Sequence, residues 1–67
     1  MMNRIALLRK QRGLTQGDVA RSVGCSQGLI SMVENYQTTP RFPRQEVRRA
    51  LAALFETPYE KLVQPLR

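Results

Sequence analysis

Apolar positions recur along this chain at helical spacing in five short runs, and no segment gives a convincing strand pattern. Residues 3–12, NRIALLRKQR, predict a first helix with Asn3 as cap, Ile5, Leu7 and Leu8 facing inward, and Gly13 as its stop. Its last turn is basic, which suits the negative end of a helix. From Thr15 to Glu34 the pattern tightens into two short helices joined by a turn. Thr15 and Asp18 have the start-signal spacing in which a hydroxyl and a carboxylate satisfy each other's backbone amides. Val19, Ala20 and Val23 give that helix a narrow buried stripe, and Gly24 supplies the left-handed residue that ends it. Ser26 then caps a helix whose Ile30 and Val33 point inward, leaving Gln27, Gly28, Ser31 and Met32 outward. A recognition surface is one use for such a face.

After Glu34 the segment NYQTTPRFP lacks periodicity and contains two prolines, so it reads as an exposed loop. Residues 44–55 predict a fourth helix with a broad apolar stripe at positions 47, 50, 51, 54 and 55. Thr57-Pro58-Tyr59-Glu60 is a second start signal, with Pro58 at the first helical position, and Leu62, Val63 and Leu66 make the final helix amphipathic. Short connections between five short helices predict an all-α, compact five-helix bundle. Its core is expected from Ile5, Leu8, Leu14, Val19, Ala20, Val23, Ile30, Val33, Val47, Leu51, Phe55 and Leu62.

Sixty-seven residues fit one domain spanning 1–67. Such a chain buries a small core, with ~3–5 kcal/mol from a single apolar cluster, so pairing with a second copy would help. One Cys excludes an internal disulfide, and the lack of His leaves a zinc site short of its usual ligands. Eleven basic against five acidic residues give a net charge of +6, spread along the chain rather than held in a tail. That balance suits a polyanion bound by a folded basic face. No run has membrane-spanning length, and Arg4, Arg9, Lys10 and Arg12 interrupt any signal core, so the cytoplasm is the default.

Catalysis is not expected. No His serves as a base, no glycine-rich phosphate loop occurs, and the acidic residues stand singly. Cys25 lies in a turn with no histidine to activate it and reads as a small half-buried turn residue, with a redox switch as the alternative. No cofactor, metal or small-molecule ligand is implied.

The ordered set Ile5-x-x-Leu8-Arg9, Gly13-Leu14-Thr15-Gln16, Ala20, Gly24, Ile30-Ser31-x-x-Glu34-Asn35 resembles the helix-turn-helix of the Cro and phage-repressor family, also called the xenobiotic-response-element type. The resemblance covers roughly residues 3 to 63 and implies a lambda-repressor-like domain with the motif as helices 2 and 3. In that family the second helix of the motif enters the major groove of duplex DNA. Carried over by position, this puts Gln27, Gly28, Ser31 and Met32 at the bases and Gln16 on a phosphate. Gln27 has the carboxamide that pairs with adenine N6 and N7. Gly28 either lets the backbone approach the groove or is simply tolerated at ~1 kcal/mol relative to Ala. Met32 either touches a thymine methyl or only packs on the surface. Ser26 can donate to a phosphate, though capping is the simpler role.

The same resemblance places Arg41, on the loop before the fourth helix, at the sugar-phosphate backbone, with Arg44 close enough to assist. Arg48 and Arg49 read as solvated. Arg9 and Glu34 take the places of a structural ion pair that fixes the recognition helix. The chain departs from the family at Glu34-Asn35-Tyr36, where a glycine is usual: either Asn35 takes the left-handed conformation or Tyr36 turns outward. The expected function is sequence-specific binding of double-stranded DNA by a transcriptional repressor, acting as a homodimer on a palindromic operator. Leu62, Val63 and Leu66 are the candidate dimer interface, against the alternative that they cover the base of the domain. An antitoxin or restriction-modification controller with a protein partner, or a protein-interaction adaptor, are the rival readings.

Overall fold

A computed structural model describes residues 3–35 and 42–64. Five α-helices follow in order among these residues: α1 (Arg4–Gln11), α2 (Gln16–Val23), α3 (Gln27–Glu34), α4 (Gln45–Phe55) and α5 (Tyr59–Leu62). No strand occurs among them, so the fold is an all-α bundle.

Local chemistry sets most of the helix ends. Asn3 Oδ1 accepts from the Ile5 amide at 3.1 Å and starts α1. At α2 the capping box is closed in both directions, with Asp18 N–H to Thr15 Oγ1 at 3.0 Å and Thr15 N–H to Asp18 Oδ2 at 2.9 Å. Gly24 then turns left-handed at φ +76°, and the Cys25 amide returns to the Ala20 carbonyl at 2.9 Å. Ser26 Oγ accepts from Leu29 N–H at 3.1 Å, so α3 begins at Gln27, two residues after Cys25.

The C-terminus of α4 uses the same device with an unexpected residue. Glu56 adopts φ +51°, Glu56 N–H meets the Ala53 carbonyl at 3.4 Å, and Thr57 N–H meets Ala52 at 3.1 Å. A side chain in that conformation costs about 1 kcal/mol relative to glycine. Thr57 does not cap α5: its hydroxyl donates to the Phe55 carbonyl at 2.9 Å, and Pro58 stands just before the first helical residue. Asn35 is not left-handed either. It closes α3 at φ −99°, with its Nδ2 donating to the Ser31 carbonyl at 2.8 Å.

Ile5, Val19, Ala20, Ile30, Val33, Val47, Leu51, Phe55 and Leu62 form one buried cluster. Leu8, Leu14 and Val23 line its edge and are only partly buried. The first helix is rolled relative to the sequence expectation, because Ala6 is buried and Leu7 is 40% exposed. Pro43 is fully buried and Phe42 packs on the core, so the end of the segment read as an exposed loop belongs to the interior. Arg48 is not a solvated cation: its Nε donates to the Pro43 carbonyl at 2.8 Å and its guanidinium lies 5.4 Å from the Tyr59 ring centroid. Arg12 donates to the Leu54 carbonyl and lies over Phe55, tying the end of α1 to α4.

Candidate nucleic-acid interface

The outward side of α3 is set by what its inward side does. Ile30 and Val33 are wholly buried, and each such aliphatic side chain contributes ~1.5–3 kcal/mol by leaving water. Small Ala20 on α2, also buried, lets the two helices come close, and α2 and α3 form the most extensive helix contact in the fold. With that face committed, Gln27 and Gly28 are exposed, Ser31 is half-buried and Met32 is 44% exposed. Eight residues make a rod about 12 Å long and, with its side chains, about 10–12 Å wide. The major groove of B-form DNA, about 12 Å wide, admits such a rod.

Polar contacts converge on the far end of α3. Glu34 is 1% exposed at its side chain, Arg9 11%, and Arg9 Nε lies 2.7 Å from Glu34 Oε2. Arg9 Nη2 reaches Glu34 Oε1 at 3.2 Å, while Nη1 donates to the Leu14 carbonyl at 3.0 Å. Gln16 Nε2 donates to the same Oε1 at 3.2 Å. Asn3, fully buried, donates from Nδ2 to the Val33 carbonyl at 2.7 Å, and its amide meets the Glu34 carbonyl at 3.3 Å. One carboxylate thus gathers donors from α1 and α2, and a buried amide holds the last turn of α3. The paired charges satisfy each other where water is excluded.

Two of these partners escape a sequence reading. Asn3 has the signature of a helix cap and gives no sign of its second bond 30 residues away. Gln16 was carried over as a phosphate contact, whereas one of its amide hydrogens is engaged by Glu34. The other hydrogen and its backbone amide, at the start of α2, are what it has for a ligand.

The remaining candidates separate cleanly. Gln27 Oε1 lies against the first turn of α2, 3.7 Å from where a Gly17 Cβ would sit, with Arg21 beside it. Arg21 is itself 77% exposed at its side chain and paired to Asp18 at 2.5 Å. Ser26 is exposed and its oxygen serves as a cap. Arg44 is exposed and stands immediately before α4 without a side-chain capping bond. Arg41 and Leu66 lie outside the described residues. Leu62 has no exposure and belongs to the core of its own chain, and Val63 packs partly buried at the edge of that core.

Two titrating groups report their surroundings. Hydrogen bonds from the Thr15 amide and hydroxyl, then the charge of Arg21, hold Asp18 below the ordinary value of 3.8 despite partial desolvation. Burial pushes the Cys25 thiol upward, which lowers its thiolate fraction and so its reactivity. Among the described residues no group of three His, Cys, Asp or Glu side chains could hold a metal, and no helix is long and apolar enough to cross a membrane.

The sequence model of a family described as "Helix-turn-helix domain" matches residues 3–63. No curated protein matches the chain.

Proposed function

The chain belongs to the helix-turn-helix domain family, and from that premise we propose that it is a transcriptional repressor of the Cro and phage-repressor type, binding a palindromic operator as a homodimer. Membership of the family points to DNA as the partner. The observation that carries the finer reading is the first half of α3, an exposed and uncharged helix face held from behind by Ile30, Val33 and the Arg9–Glu34 pair. A face without charge binds poorly by general attraction and well only where its polar groups meet matching base edges. The net charge of +6 supplies the sequence-independent attraction to phosphate. Gln27 reads a base, Gln16 and Arg44 approach the phosphates, and Arg41, outside the described residues, is expected to join them.

Dimerisation follows from the reach of so small a reader. One domain spans only a few base pairs, and two half-sites about one helical turn apart supply the discrimination a regulator requires. With Leu62 engaged in the core, Val63 and Leu66 are the apolar contacts left to this reading.

Selection of bound sites from random duplexes, followed by titration at several salt concentrations, tests the proposal. A twofold-symmetric site and a linear fall of log K with log salt are expected. Gln27→Ala loses ~1–3 kcal/mol on that site and relaxes preference at one base position. A uniform loss across all sequences would remove base readout from Gln27.

A further inference from the structure

Which bases the face can read is constrained by what it lacks. Guanine is most often read by the fork of an arginine or by a lysine on O6 and N7, and the outward positions of α3 carry neither. They carry a carboxamide at Gln27, a half-buried hydroxyl at Ser31, no side chain at Gly28 and a thioether at Met32. Met32 and Leu7 are the exposed large hydrophobics among the described residues, and Met32 is the one on α3. Its neighbour one turn earlier on the same face is Gly28, and nothing lies within 4 Å of where a Gly28 Cβ would stand. The Met32 side chain does not come within 4 Å of that position either, so its flank toward Gly28 is open to a surface coming from outside.

Resting on the DNA-binding reading above, we infer that Met32, standing clear beside bare Gly28, reads the 5-methyl group of a thymine in the major groove, making α3 a reader of A·T pairs. The thioether is polarizable and unbranched and meets a methyl group without demanding a hydrogen-bond partner. Gln27, five residues earlier, supplies the complementary polar half, since a carboxamide pairs with adenine N6 and N7. Gln27 and Met32 stand about 140° apart at the two edges of the outward face, so separate A·T pairs under α3 satisfy the two side chains. A G·C pair in the thymine position leaves Met32 without its methyl partner and places unpaired polar edges against an apolar side chain.

The test uses uracil, which differs from thymine only by that methyl. The full chain is first given random duplexes, and in the selected site each thymine is replaced singly by deoxyuridine. Binding is measured for the parent and for Met32→Ala, an exposed position whose truncation leaves the core intact. At one thymine per half-site the parent is expected to lose about fourfold, the equivalent of ~0.8 kcal/mol for one buried methyl-sized group. Met32→Ala binds the thymine site as weakly as the parent binds the uracil site, and no longer distinguishes the two. A selected site in which every thymine tolerates uracil overturns the inference while leaving the DNA-binding reading standing. So does a uracil effect that survives in Met32→Ala. Failure to select any site is a different result, and it brings down the regulator reading itself.

Discussion

Replacing either member of the Arg9–Glu34 pair by methionine, which roughly conserves volume, leaves the other charge buried without its partner. The side chains are 11% and 1% exposed and meet at 2.7 Å, so water cannot take the place of the lost group. Breaking such a pair from one side costs ~3–5 kcal/mol. A single small core supplies a comparable ~3–5 kcal/mol in a domain of this size, so Arg9→Met and Glu34→Met are each expected to be largely unfolded at 25 °C without denaturant. The double variant removes both charges and recovers most of the loss. It retains a deficit of ~1–2 kcal/mol, because the Leu14 carbonyl loses its bond to Arg9 Nη1 and Gln16 Nε2 loses its acceptor. Far-UV circular dichroism in a urea titration measures this directly, since a slope of about 1 kcal/mol per molar urea turns each kcal/mol into a midpoint shift of about 1 M. Single variants within about 1 kcal/mol of the parent would refute the reasoning. So would a double variant whose loss equals the sum of the two.

Three further outcomes follow from individual positions. Gly28→Ala should stabilise the chain by ~0.5–1 kcal/mol in a thermal melt, because its φ is not left-handed and the added methyl meets nothing within 4 Å; a lower melting temperature would contradict that. Tyr59 Oη is buried with no hydrogen-bond partner among the described residues, and burial, opposed by the Arg48 charge, raises its pKa above 10.0. Tyr59→Phe should therefore be neutral or stabilising by up to ~1 kcal/mol in the urea titration, and a clear loss would reveal a bond to that oxygen. Asp18 has a folded pKa below 3.8, so its capping contribution is complete above that pH and disappears as pH falls through the lower folded value. Thr15→Val removes the hydroxyl but keeps the backbone amide, so with the carboxyl carbon followed by NMR it should bring the titration part of the way back toward 3.8, and an unchanged midpoint would show that the hydroxyl is not a cause.

What the sequence made legible is local. The Thr15–Asp18 box, the left-handed Gly24 and the Ser26 cap each depend on residues within a few positions of one another, and each stands in the fold at hydrogen-bonding distance. The inward choice of Ile30 and Val33 follows from the helical period, with Leu29 left at the edge of the core and Met32 outward. α1 is different, because Ile5 and Leu8 are compatible with two adjacent stripes, one including Leu7 and the other Ala6 and Arg9. Packing against α3 and α5 selects the second, since only that roll brings Arg9 to Glu34. Glu56 carried no signal at all: nothing in an acidic side chain marks it for a left-handed helix end, although the two carbonyl bonds that conformation permits are both to the last turn of α4.

The candidate site divides along the same line. Its outward residues could be found by elimination, because whatever α3 does not bury it must present. What orients that face is non-local and was not legible beyond the Arg9–Glu34 resemblance. Ile30 and Val33 fix how close α3 lies to the core, yet apolar contacts have no direction, and a helix resting on two aliphatic side chains can roll by small angles at little cost. Hydrogen bonds do have direction. Glu34 receives Arg9 and Gln16 on its two oxygens while Asn3 holds the Val33 and Glu34 carbonyls, so a roll of α3 that improved one of these bonds would lengthen another. The angle at which Gln27 and Met32 are presented is consequently set at the opposite end of their own helix, by three side chains from α2, α1 and the residue that starts α1, none of which shares their face.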